Sequence, residues 1–181
     1  ILHDIGQPLH AFDYDKIEDQ TIKVKKYKKE IKFKTLDEIE RTLSSNDLTI
    51  SDSKKPLCLA GIFGGIDSGI SKKTTSIFLE SAYFDPITVR KSAKHHNLST
   101  DSSYRFERGV DPNISKYALK RAVLMIKEVC KDSIVSSDLI DLYPKPIKDL
   151  QIVLGFDKIE KIIGQKIDKE IIKNIISSLD I

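Results

Sequence analysis

The sequence predicts a sheet-rich α+β fold, and three observations carry that reading. Short alternating or apolar runs bounded by turn residues fill residues 21–84. Two Asp-Pro steps, at 85–86 and 111–112, each precede apolar residues at helical spacing. Pro144-Lys145-Pro146 then breaks the pattern, and residues 156–179 return to helical spacing. The boundaries drawn are 1–146 for the first domain and 147–181 for a second, small one.

Each element has its own local signal. GQPLHAFD, residues 6–13, reads as a turn that carries His10. TIKVKKYKK (21–29) alternates, as does LDEIERTLSSNDLTISD (36–52) around the turn Ser44-Ser45-Asn46-Asp47. PLCLAGIFGG (56–65) is a continuous apolar run ended by glycines, as in a buried strand, and TTSIFLESAYF (74–84) is another. Asp85 caps a helix with Pro86 at its first position, running to about His96, where Asn97 and Leu98 close it. Residues 112–131 form the longer helix, and SIVSSDLIDLYP (133–144) reads as a last strand. Beyond the linker, a short strand and helices over 156–163 and 168–179 are expected, split at Gly164.

Composition narrows the function classes. With 181 residues, 40% of them hydrophobic and 31% charged, the chain is expected to be a soluble folded protein. No apolar run approaches the roughly 18 residues of a membrane span. Net charge is only +3, a weak field for a general nucleic-acid binder, although 25 of the 30 basic residues are lysines. The run KVKKYKK admits two readings, a phosphate-backbone contact or a solvated edge strand. Cys58 and Cys130 lack CxxC or Cys/His spacing, which argues for reduced structural thiols in a cytoplasmic protein and against a zinc site. The opening without Met and the close in mid-pattern suggest a piece of a longer chain.

Several side chains stand out against this background. Gly61, Gly64 and Gly65 come after an apolar strand, either as a plain bend or as a loop offering peptide N–H groups to a ligand. Neither GxGxxG nor GxxxxGK[ST] occurs, which argues against a dinucleotide or P-loop site. Glu80 lies inside IFLESAYF, where a carboxylate is costly without a partner. The pattern favours an ion pair with Arg105 or Arg108 over a donor from a ligand. YRFERG (104–109) fits a salt-bridge knot as well as a nucleic-acid contact. His95-His96 is placed to cap a helix C-terminus, and no metal site is expected.

Taken together, GQPLHAFD, the double-glycine loop, LESAYFDP and TDSSYRFERGVDP resemble the bacterial phenylalanyl-tRNA synthetase beta-subunit family, in its B3/B4 domain. The likeness spans residues 1 to about 145. The tail from about 148, with IEKIIG and its following helix, resembles the start of the small helical B5 domain. The resemblance implies a barrel-like B3/B4 core with flanking helices, truncated at its N-terminal end, and a B5-like part truncated at its C-terminal end. It also implies hydrolytic editing of Tyr-tRNA(Phe). A family that attaches phenylalanine must clear an isostere that adds one hydroxyl, and an apolar pocket rejects such an isostere poorly.

By position in these motifs, Glu80 matches the residue that reads the tyrosine hydroxyl and His10 a pocket histidine with Pro8 beside it. Gly61 and Gly64 match the loop of backbone donors. Thr100 and Ser102 match the pocket wall, with Ser102 standing where the family usually has Ala. The implied partners are the alpha subunit, in an α2β2 assembly, and tRNA(Phe), with no membrane. ATP and Mg2+ serve the whole enzyme, and no cofactor is expected on this part. The alternative within the same family is a scaffold and tRNA-docking module whose editing is weakened or lost, with Glu80 and Ser102 as the discriminating residues.

Overall fold

The computed structural model describes residues 1–148 and 150–179 and divides the chain into two compact units, Ile1–Leu142 and Tyr143–Ile181. In the first, a short helix α1 (Leu2–Ile5) ends at Gly6, which takes a left-handed φ of 76° and turns the chain into β1 (Leu9–Asp13). Seven further strands are β2 (Lys23–Lys26), β3 (Ile31–Lys34), β4 (Glu40–Leu43), β5 (Leu48–Ser51), β6 (Pro56–Leu59), β7 (Phe63–Gly64) and β8 (Ile77–Ser81). They pair into three antiparallel sheets, β1-β8, β2-β5-β6-β7 and β3-β4. The α+β class is as expected, but the sheets do not close into a barrel. The isolated bridges Phe12–Gly69 and Thr35–Gly65 link the strands to neighbouring loops.

Phe12, Phe33, Leu43, Ile50, Leu57, Leu59, Phe84, Val89 and Phe106 form the core where these small sheets meet the helices. Helix α2 (Pro86–His95) starts as read from Asp85-Pro86, with the Asp85 carboxylate accepting from Thr88 N at 2.8 Å. Helix α3 (Asp101–Phe106) carries a capping box between Thr100 and Ser103. Helix α4 (Ser115–Val129) begins later than Asp111-Pro112 implies. Asp111 accepts from Asn113 N and holds a turn there rather than a cap.

Three expectations fail. Residues 56–65 are a hairpin, β6 and β7, and not one strand, because the chain reverses at Gly61 (φ +71°). Residues 133–144 form no strand, and Ile134, Val135, Ile140 and Leu142 are exposed. An apolar run becomes a strand only where another edge accepts its hydrogen bonds. The short strand expected after the linker is absent among the described residues for the same reason.

In the second unit, α5 (Phe156–Ile163) ends at Gly164, left-handed at φ 84°, and α6 (Lys169–Ser178) is capped by Asp168. Ile172 is its buried apolar residue, while Ile162, Ile163, Ile171 and Ile175 are exposed. No helix among the described residues is long and apolar enough to cross a membrane.

Candidate functional site

Pairing of β1 with β8 sets His10 directly opposite Glu80, with Phe12 opposite Phe78 two residues along. Cross-strand partners share a face, so His10, Phe12, Phe78 and Glu80 look the same way. His10 therefore lies in a strand and not in a turn. Its ring meets Phe12 edge-on, with centroids 4.4 Å apart. Its Nε2 is buried and has no hydrogen-bond partner among the described residues. Burial holds the imidazole below its usual pKa and favours the neutral form.

Glu80 makes no ion pair or side-chain hydrogen bond among the described residues, against the reading that favoured an Arg partner. Arg108 bonds its neighbour Glu107 at 2.5 Å and lies 3.7 Å over the Tyr104 ring. Arg105 lines a 230 Å³ cavity with Gly6, Gln7 and Asp111. Burial pushes the Glu80 carboxyl up to about 8, so it is largely protonated at neutral pH. Beside it the buried Cys58 thiol is raised too, first by burial and then by the Glu80 charge.

The glycine loop ties these strands to the helices. Gly64 pairs with Cys58 across β6-β7. A Cβ at Gly64 would sit 2.8 Å from His10 Cε1 and 2.9 Å from Leu36 Cδ1, so glycine is what lets β7 approach the imidazole. A Cβ at Gly61 would lie 2.8 Å from Phe84 and 3.0 Å from Phe106, whose rings stack edge-on. The first turn of α3 grips the same loop. Thr100 Oγ1 donates to Ile62 O at 2.8 Å, and Ser102 Oγ to Gly61 O at 3.0 Å. The Ser102 hydroxyl is thus engaged with the backbone. Pro8 is buried just before β1, and its carbonyl accepts from Gln7 Nε2 at 3.2 Å.

The structure therefore joins the candidates in one chain of neighbours: Glu80 with His10, His10 with Gly64, and the 61–64 loop with Thr100 and Ser102. Two open cavities lie elsewhere, one at Arg105 and one of 760 Å³ along residues 15–20 with Lys55 and Asp67. Sequence reasoning missed Cys58 and Leu36 as neighbours, and nothing in the local pattern marks either.

His95 and His96 close α2 as expected, with His96 at the cap position and its N donating to Ser92 O at 3.0 Å. His96 Nε2 also bonds the buried Asp47 Oδ2 at 3.0 Å. Ser92 Oγ and Ser44 N also donate to that carboxylate. Burial alone would raise Asp47, but the bonds from His96, Ser92 and Ser44 outweigh it and hold the carboxyl well below the carboxylate range. Asp47, His95 and His96 bring ligand-type atoms within 4.8 Å of one another, yet the Asp47 oxygens are already engaged by these donors.

Comparison with known proteins adds to this geometry. The family model described as the B3/4 domain matches residues 1–131. The chain is 47% identical over 180 residues to a phenylalanine–tRNA ligase beta subunit of Bacteroides fragilis, covering 99% of this chain and 22% of that protein. It is 44% identical over 182 residues to the protein of the same name from Porphyromonas gingivalis, and 41% over 180 residues to that from Geobacter sulfurreducens. The chain spans about a fifth of the length of these relatives.

Proposed function

The chain belongs to the B3/4 domain family, and from that premise we propose that it is the editing module of a phenylalanine–tRNA ligase beta subunit, hydrolysing the ester of Tyr-tRNA(Phe). The observation that carries this reading is Glu80: a carboxyl on a partly buried sheet face, opposite a histidine that burial keeps towards its neutral form, with no cation paired to it among the described residues. A tyrosyl hydroxyl meets that carboxyl by hydrogen bond. A phenylalanyl ring buries it unmet, at about 1–3 kcal/mol. The pocket thus demands the hydroxyl that an aminoacylation pocket rejects poorly.

The chemistry asks little more of the chain. Water adds to the ester carbonyl, the ribose oxygen leaves with a proton, and free tyrosine and tRNA result. His10 orients the water or the substrate's amino group, and the 61–64 loop, gripped by Thr100 and Ser102, offers backbone donors. ATP and Mg2+ belong to the adenylation step, which this reading assigns to an alpha subunit in an α2β2 enzyme of the cytoplasm. Ser102 is one of the two residues that discriminate the scaffold alternative, and its hydroxyl is engaged by Gly61 O, which argues against competition for Glu80.

The test is deacylation of preformed Tyr-tRNA(Phe) by the complete enzyme. Hydrolysis at least about a hundredfold above the uncatalysed rate is expected, as positioning and general acid–base help together supply. A rate at background would overturn the reading and favour the scaffold.

A further inference from the structure

Leu36 is a large apolar side chain, 45% exposed, at the turn between β3 and β4. Its backbone is firmly held. Leu36 N donates to Gly64 O at 3.0 Å, and the adjoining Thr35 bridges Gly65. The turn is braced by Arg41 on the Asp37 carboxylate at 2.8 and 3.0 Å. One methyl of Leu36 lies 2.9 Å from the point a Gly64 Cβ would occupy, and the other 3.2 Å from the same point on Gly69. His10 Cε1 and Nε2 lie 2.8 and 3.3 Å from the Gly64 point. Of these three residues, Gly64 is buried, His10 is half-buried and Leu36 is exposed. His10 Nε2 is sealed from water there, with no partner among the described residues.

A buried nitrogen without a partner is costly, and its cover calls for a reason. A fixed backbone and a half-exposed side chain mean that the isopropyl group can change rotamer while the hairpin stays in place. We propose that Leu36 is a specificity-determining residue of this pocket, an apolar cover over the His10 imidazole that moves aside for an aromatic aminoacyl ester and then packs on its ring. The substrate part of this inference rests on the editing reading; the cover itself does not.

Diethylpyrocarbonate modification of the full-length protein, read residue by residue by mass spectrometry, tests the cover without any hydrolysis assay. In Leu36→Ala, His10 is expected to react about ten times faster than in the unsubstituted protein, with the exposed His3 and His95 as unchanged references. Leu36→Met, which keeps a flexible apolar cover, is expected to restore protection. Equal His10 reactivity in all three proteins would overturn the cover. If the cover holds and the unsubstituted enzyme deacylates Tyr-tRNA(Phe), Leu36→Ala is expected to raise KM for that ester more than it lowers kcat. An unchanged KM would overturn the role in specificity. Failure of the unsubstituted enzyme to deacylate would count against the editing reading alone.

Discussion

Glu80 links protonation to folding. Its folded pKa of about 8 stands above the ordinary 4.5, so the native state holds the proton more tightly than the unfolded chain. No penalty applies below about pH 4.5, and stability falls as pH rises from there towards 8. The full shift converts to about 5 kcal/mol, an upper bound because the carboxyl is only partly enclosed. Glu80→Gln is therefore expected to be more stable than the parent at pH 8 and close to it at pH 5, by urea unfolding at both. Equal differences at the two pH values would mean the carboxyl is not held protonated. Gly61→Ala carries its own cost. A left-handed φ of 71° disfavours alanine by about 1–2 kcal/mol, and Phe84 and Phe106 leave no room for a methyl. Thermal melting of that variant is expected to show a loss of at least this size. Ser102→Ala removes the bond to Gly61 O and is expected to cost about 1 kcal/mol without raising Tyr-tRNA(Phe) hydrolysis. A rise in hydrolysis would mean that the hydroxyl obstructs the pocket after all.

Elements are fixed by local signals in some places and by distant partners in others. Helix α2 is legible in the sequence because Asp85 and Pro86 act on their own turn, and Gly164 marks the end of α5 for the same reason. The β6-β7 hairpin is not, since apolar residues flank Gly61 on both sides and no polar turn residue interrupts them. The 133–144 run carries strand-like residues, yet no strand edge among the described residues receives it. The site is half legible. Glu80 is marked by its cost in an apolar strand, but its position opposite His10 depends on pairing between strands some 70 residues apart. The Asp47 cluster is of the same kind, since it fastens α2 to the turn before β5 through Ser92 and His96. Asp47→Ala leaves those donors without their acceptor and is expected to cost about 3 kcal/mol in urea unfolding at pH 7. Because the folded carboxyl is depressed, its contribution is present above the ordinary carboxylate pKa and lost as pH falls below it. A cost under about 1 kcal/mol would show the cluster to be dispensable.

At the scale of the molecule, three small antiparallel sheets are bound by loops and helices into one core, and the candidate site lies where they meet. β1 and β8 supply His10 and Glu80, the β6-β7 hairpin supplies the glycines, and α3 grips the hairpin's turn. On the proposed editing reading, this arrangement selects for a hydroxyl through Glu80. The most direct measurement is the ratio of Tyr-tRNA(Phe) to Phe-tRNA(Phe) deacylation by the complete enzyme, with and without Glu80→Ala. A ratio of about a hundred or more is expected in the parent, collapsing to within about tenfold in the variant through loss of the tyrosyl rate. A ratio unaffected by Glu80→Ala would contradict that reading, because the carboxyl would then not be the group that reads the substrate.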